Sequence, residues 1–200
     1  MSELRTICQD ELKMIISEHV EWLENEGEAG TRANLSDLDL RNHSFKNMDL
    51  RFANFQGSDL TGCNFSGSNL DNVLARFSIF DQAILKNTSL TESDFTGSSM
   101  RNIVCFGDLT GIDLSDVDLT GAQFIKANLS FSSLFQTNLY GATLYRVNLF
   151  QASLLGTNLS YSNLIGSEFD GSILSNVNIY KAGIDDIDFS ECIEFEVYSA

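Results

Sequence analysis

The sequence predicts an all-β solenoid, and the main evidence is a five-residue period. From Leu35 to Phe189 every fifth residue is apolar, with one shift of phase between Cys105 and Leu109. These 32 central positions hold Leu or Phe 27 times. A period of five matches neither the 3.6 residues of an α-helical turn nor the two-residue alternation of a strand. It instead indicates a chain that turns every five residues and stacks coil on coil.

The residues around each centre support the same fold class. Two positions before the centre the residue is small, as at Ala53, Ser58 and Cys63. Directly before the centre it is Asp or Asn in 18 of the 32 units. Asp, Asn, Ser and Gly stabilise tight turns, through local hydrogen bonds or tolerance of positive φ. Proline is absent, so no backbone N–H group is lost from the hydrogen bonds that join the coils.

Units such as Ser58–Gly62 and Cys63–Gly67 closely resemble the pentapeptide repeat family, whose pattern is a small residue, Asp or Asn, Leu or Phe, a polar residue and Gly. The resemblance covers roughly residues 33–190 and implies a right-handed quadrilateral β-helix with four pentapeptides in each coil. The 32 units then form about eight coils. We expect a capping helix with its connection in 1–32, the β-helix in 33–190 with a phase slip near 103–109, and a C-terminal cap or edge strand in 191–200.

The segment before the repeats predicts an amphipathic α-helix from about Thr6 to Glu26. Its apolar residues recur at helical spacing and form one stripe, comprising Leu12, Ile15, Ile16, Val20 and Leu23. A solenoid needs a cover over its open end. We therefore interpret the helix as an N-terminal cap, with Trp22 and His19 packed where it meets the first coil.

The segment after the repeats alternates polar and apolar residues from Glu194 to Tyr198, as an edge strand does. Such a strand either covers the last coil or pairs with a second copy across a two-fold axis. The family resemblance favours a homodimer formed through the C-terminal half.

No arrangement of residues in the sequence indicates catalysis. The histidines are His19 and His43 alone, and no nucleophile elbow, phosphate-binding loop or metal-ligand spacing is present. The carboxylates recur at the turn position, where they are expected to bind the backbone. Cys63 and Cys105 fall on inward positions, which predicts buried reduced thiols. We therefore predict no enzymatic activity and no catalytic, cofactor-binding or metal site.

Charge and hydropathy predict the compartment of the protein and the molecules that it does not bind. The N-terminal residues are too polar for a signal peptide, and no stretch is apolar enough to span a membrane. The formal net charge of −16 opposes direct binding to nucleic acid, whose phosphates would repel it. We expect a cytoplasmic protein that contacts neither membrane nor nucleic acid.

The functional prediction depends on the residues that the five-residue period directs towards the exterior. After the slip, outward positions become apolar, and we predict an interface made of Phe131, Phe135, Tyr140, Tyr145, Phe150, Leu155, Ile165 and Tyr180. A secondary apolar patch is predicted on one coil at Leu74, Phe77, Ile79 and Ile84. The predicted function is a non-catalytic protein–protein interaction or scaffold module whose partner the sequence does not identify. The alternative, which the resemblance implies, is a DNA-mimicking regulator of DNA gyrase or topoisomerase of the quinolone-protection type.

Overall fold

The computed structural model describes residues 4–199. Residues 1–3 of the predicted cap segment and Ala200 of the predicted edge strand lie outside that part. The chain winds as a β-solenoid of four-sided coils behind one N-terminal helix, which confirms the predicted fold class. Residues about twenty apart bridge in parallel, because four five-residue units complete one coil. One side of the solenoid is bridged successively through Asn34, Asn54, Leu74, Asp94, Asp113, Ser133, Ser153, Ile173 and Glu194.

The four sides are numbered by the residue before each centre in the first coil. The first face begins at Asn34, the second at Asp39, the third at Ser44 and the fourth at Asp49. Each face ends in a corner, which is the pair of residues after the centre. The second residue of the corner has positive φ at most positions, which explains why Gly and Asn are frequent there.

Hydrogen bonds between neighbouring coils pair the N–H and C=O groups of the backbone. The N–H group of Leu60 donates to the Ile79 carbonyl of the following coil at 2.6 Å, and the N–H group of Asp59 donates back to Leu38 at 2.9 Å. The inward small residue often adds a side-chain bond, as when Thr137 Oγ1 donates to the Leu114 carbonyl at 2.7 Å. Because this hydrogen bond satisfies the hydroxyl or thiol group, Ser, Thr and Cys can occupy a buried position.

The core is one continuous cluster of buried apolar side chains, most of them Leu and Phe, inside the coils. In the first coils, the rings of Phe45 and Phe65 stack with their centroids 5.0 Å apart. The ring of Phe80 continues this column 5.6 Å beyond Phe65. All three side chains are completely buried, so they supply a large share of the apolar burial that stabilises this end.

Regular elements occupy only part of the coils. The helix is α1 (Gln9–Glu24), and the strands lie at β1 (Arg5–Thr6), β2 (Leu38–Asp39), β3 (Ile84–Ser89), β4 (Val104–Asp108), β5 (Gln123–Ile125), β6 (Thr143–Tyr145), β7 (Ile173–Asn178) and β8 (Glu194–Tyr198). They form three parallel sheets with the orders β1-β2, β3-β4-β5-β6 and β7-β8. Elsewhere the coils are joined through isolated bridges of one residue each.

The N-terminal segment caps the first coil with a strand as well as a helix. The sequence places the helix start near Thr6, but α1 begins at Gln9, because Arg5 and Thr6 pair with Leu38 and Asp39. The first coil has no preceding coil to supply hydrogen-bond partners, and β1 partly meets that need. The apolar side of α1 lies on the same coil, where Leu12 joins the core.

The phase shift produces a local change in register. The repeat unit at β4 is one residue shorter than the unit of β3 that it pairs with. Lys86 therefore pairs with Phe106, and Thr88 pairs with the next residue, Gly107. Asn87 is left without an opposite residue, as in a β-bulge. At the other end, β8 pairs with β7 of its own chain, so the C-terminal segment adds a rung to the last coil.

Candidate interaction surface

The eight predicted interface residues all lie at corners of the second half, and none of them is buried. The period of twenty residues assigns them to all four corners. Phe135 and Leu155 follow the first face, and Tyr140 and Tyr180 follow the second. Tyr145 and Ile165 follow the third, and Phe131 and Phe150 follow the fourth. The apolar residues therefore surround the second half of the solenoid.

Some of these side chains contact one another. The rings of Phe131 and Phe150 meet edge to face with centroids 5.5 Å apart. At the second corner, Tyr161 lies between Tyr140 at 5.2 Å and Tyr180 at 5.5 Å, so the three rings form a continuous column. Tyr161 is exposed and was not predicted from the sequence. It is the second residue after its centre, and the outward direction of that position is the signal that would have found it.

The secondary apolar patch is divided between faces. Leu74 bridges residues of the first face, Ile79 of the second and Ile84 of the third. Phe77 is the most exposed of the four, with 65% of its surface accessible, and lies at the corner between Leu74 and Ile79. These residues encircle one coil and do not form a single plane.

Arginine–aspartate pairs occupy the first half of the surface. Arg51 donates to Asp49 at 2.8 Å, and Arg41 and Arg101 bind Asp39 and Asp81 in the same manner. The hydrogen bond from Arg41 lowers the pKa of the Asp39 carboxyl from 3.8 to about 2. Several of the acidic groups are thus neutralised by partners within the chain.

The carboxylates and amides at the turn position also have a structural role. Asp59 Oδ1 accepts the Thr61 N–H group at 3.0 Å, and the same contact recurs at Asp94, Asp113 and Asp118. This confirms that these side chains support the turns. Within residues 4–199, no three His, Cys, Asp or Glu side chains come together in a metal-binding arrangement.

His19 and Trp22 lie at the junction of the cap and the first coil, where the sequence places them. His19 is completely buried, and its Nδ1 accepts the Ala33 N–H group at 3.1 Å. Its ring stacks on Trp22 with centroids 5.8 Å apart, and Trp22 meets Phe52 edge to face. Burial lowers the pKa of His19, so a neutral imidazole that fixes the cap is the form that this site favours.

Comparison with protein families agrees with this geometry. A profile described as Pentapeptide repeats matches residues 31–67, 68–104, 112–151 and 152–190, with eight copies of the repeat. The chain belongs to the pentapeptide repeat family. Pentapeptide repeat proteins are generally non-catalytic structural modules, and no enzyme family is indicated for this one. A search of curated proteins found no match.

The chain is similar to solved structures of other pentapeptide repeat proteins. A trypsin-treated form of QnrB1, a plasmid-mediated fluoroquinolone resistance protein, is 20% identical with a TM-score of 0.66, and the match covers 84% of this chain and 87% of that one. HetL, a protein involved in the regulation of heterocyst differentiation in Nostoc sp. strain PCC 7120, is 24% identical over 94% of this chain and 97% of its own, with a TM-score of 0.38. At 20% identity the likeness to QnrB1 concerns the fold alone. No helix among residues 4–199 is long and apolar enough to cross a bilayer.

Proposed function

We propose that this pentapeptide repeat protein is a non-catalytic module that binds other proteins. The observation that supports the proposal is the set of large apolar side chains exposed at the corners of the second half. Phe131 is 55% exposed, Tyr140 and Tyr161 are each 45% exposed, and Ile165 is 43% exposed. Aromatic and aliphatic side chains concentrated on an otherwise polar surface mark a protein interface more often than a solvated one.

The rigidity of the solenoid suits this role. Each coil is hydrogen-bonded to the coils before and after it, so the corner side chains are held at regular spacing. A partner then binds without the protein having to order its own surface, which reduces the entropic cost of association. Either a different protein or a second copy joined through the C-terminal half would be a partner of this kind.

The proposal is tested by removing the aromatic side chains from three corners. The variant Phe135→Ser, Tyr140→Ser, Phe150→Ser is compared with Gln56→Ser, Thr61→Ser, Thr91→Ser, which changes the same three corners in the first half. We expect only the first variant to lose self-association in light scattering or to lose partners captured from an extract of the source cell. A monomeric wild-type protein with no captured partner, or equal behaviour of both variants, would contradict the proposal.

A second candidate function, the DNA-mimicking regulation of gyrase or topoisomerase, has the net charge of −16 in its favour. A DNA mimic requires an extended row of uncompensated negative charge. The Asp39, Asp49, Asp81 and Asp94 carboxylates instead bind arginines of the chain. The surface of the first half is therefore less suited to mimicry than the net charge suggests.

A gyrase supercoiling assay with and without a quinolone tests this second candidate. Mimicry predicts that the protein inhibits supercoiling or restores it in the presence of the drug. The variant Arg41→Gln, Arg51→Gln, Arg76→Gln, Arg101→Gln, which exposes the four carboxylates, should then be the more active form. No effect of either protein at micromolar concentration removes this candidate.

A further inference from the structure

The third face differs from the rest of this acidic protein in its charge. Its outward residues run through Ser44, Asn64, Ile84, Val104, Gln123, Thr143 and Asn163. From Ser44 to Gly166 neither these positions nor the adjoining corner holds an Asp or Glu residue. The same corner holds four cations, namely Lys46, Lys86, Lys126 and Arg146, and all four are exposed.

These cations lack the carboxylate partners that the arginines at the other three corners have. On the second and fourth faces, Arg41 and Arg51 bind the Asp residue two positions before them. On the third face the equivalent residue is Ser44 before Lys46 and Ile84 before Lys86. Within residues 4–199, no carboxylate lies within 4.0 Å of any of the four third-face cations. Their charge is available to a molecule outside the chain.

Apolar side chains lie between the cations. Phe106, Ile125, Tyr145 and Ile165 occupy the third corner in four successive coils, and Ile125 pairs directly with Tyr145. Lys86 lies over the Phe106 ring at 5.8 Å, and Arg146 lies over the Tyr145 ring at 5.2 Å. Positive and apolar groups therefore form one mixed surface.

The phase shift adds a groove to this surface. Where one residue is missing, Asn87, Phe106, Gly107, Ile125 and Lys126 line a shallow depression. Lys86 and Lys126 lie two coils apart, about 10 Å at the usual spacing of strands, on either side of Phe106. An apolar side chain entering the groove would place neighbouring carboxylates within reach of both ammonium groups.

We propose that the third face binds an acidic segment of a partner protein, with apolar residues between its carboxylates. This proposal rests on the protein-binding function proposed above and specifies the chemistry of the partner. Charge complementarity favours such a segment, because the four cations are uncompensated and the corner between them is apolar. Nucleic acid and anionic lipid fit less well, since neither presents apolar side chains between its charged groups that would match the apolar stripe.

The test uses a randomised 12-residue peptide library displayed on phage and selected against the full chain. The enriched peptides are then synthesised, and their affinities are measured by fluorescence anisotropy at low and high salt. We expect acidic peptides that contain aromatic or aliphatic residues, bound more weakly at high salt. The variant Lys86→Glu, Lys126→Glu should weaken their binding at least about tenfold.

A matched control separates local from overall charge. The variant Arg32→Glu, Arg76→Glu makes the same change in net charge at exposed sites, one before the first coil and one at the first corner, and it should alter affinity by less than about twofold. Circular dichroism checks that both variants fold. Equal weakening by both variants, or enrichment of neutral or basic peptides, overturns the proposal.

The remaining outcomes distinguish this inference from the proposed function. Peptides that bind both charge variants equally but lose affinity for the Phe135, Tyr140 and Phe150 serine variant leave the proposed function standing and overturn the third-face site. A selection that enriches no peptide overturns the third-face site and leaves the proposed function standing, because that function is tested by self-association and captured partners. Binding of duplex DNA or phosphatidylserine vesicles that depends on Lys86 and Lys126 overturns the assignment to a protein partner.

Discussion

Gly107 lies directly against the backbone of Thr88, so that a Cβ atom at Gly107 would be 2.1 Å from the Thr88 carbonyl oxygen. The two residues pair across β3 and β4 at the place where one residue of the repeat is missing. The shortened corner draws the two backbones together. Only glycine permits this approach, because the obstacle is a backbone atom fixed by the coil and not the end of a flexible side chain.

Replacing Gly107 by Ala should therefore destabilise the protein. We expect a loss of at least about 2 kcal/mol in the free energy of unfolding, because overpacking against a fixed backbone forces the strands apart. The control is Gly183→Ala, where the nearest atoms to a Cβ lie at 3.8–3.9 Å and contact is ordinary. Urea denaturation measures both variants. Equal stabilities of the two would mean that the backbones at the slip are not in close contact.

The aromatic column predicts a large difference between two Phe→Ala substitutions. Phe65 is completely buried between Phe45 and Phe80, so Phe65→Ala should cost about 3–5 kcal/mol of unfolding free energy. Phe77 is largely exposed, and Phe77→Ala should cost less than about 1 kcal/mol. Thermal or urea denaturation compares them. A similar loss at the two positions would contradict the burial described for the column.

The Asp39–Arg41 pair predicts a pH dependence of stability. The folded-state pKa of Asp39 is about 2, below its ordinary value of 3.8, because Arg41 donates hydrogen bonds to the carboxylate. A lowered pKa means that the contribution to stability is present above pH 3.8 and is lost as the pH falls towards 2.

This contribution is measured with Asp39→Asn, which removes the carboxylate at every pH. The stability difference between wild type and variant should be largest at neutral pH and should shrink as the pH falls from about 4 to about 2. Asp116→Asn, at a corner position where the carboxylate has no arginine partner within the described residues, serves as the control. A difference for Asp39→Asn that stays constant with pH would show that the pair does not lower the pKa.

The cysteines should differ in their reaction with a thiol reagent at neutral pH. Burial raises the pKa of Cys63 and of Cys105 to about 12, so neither forms the reactive thiolate in the folded protein. Cys8 is exposed at the start of α1 and should react fast. Cys192 is half-buried with a raised pKa and should react slowly.

Reaction with a chromogenic disulfide reagent, followed with time, checks this order. Cys8→Ser should abolish the fast phase while keeping an oxygen that can accept the Glu11 N–H group, as the Cys8 sulfur does at 3.4 Å. Cys63→Ser should leave the fast phase unchanged. A fast phase that persists in Cys8→Ser would place a reactive thiol elsewhere in the chain.

The sequence by itself determined the direction of almost every side chain in the coils. The five-residue period placed Phe65 and Cys63 inside, Asp59 at a turn and Tyr140 outside. It could do so because each of the five positions of the repeat has the same surroundings in every unit. It also located the slip between Cys105 and Leu109. Tyr161 was missed because the second corner residue was assigned to the exterior only at Phe77 and Phe131.

The tertiary structure decided what happens where the repeat stops or changes. Arg5 and Thr6 pair with the first coil because no preceding coil supplies hydrogen-bond partners at that edge. No local pattern in the N-terminal segment indicates this pairing. The close contact of Gly107 with Thr88 depends on two residues nineteen apart in sequence. The absence of acidic partners around Lys86 and Lys126 likewise depends on which residues lie in neighbouring coils. The five-residue period determines whether a side chain points into or out of its own coil. Which side chains meet between coils depends on how the coils stack, and these neighbours determine the charge and polarity of each face.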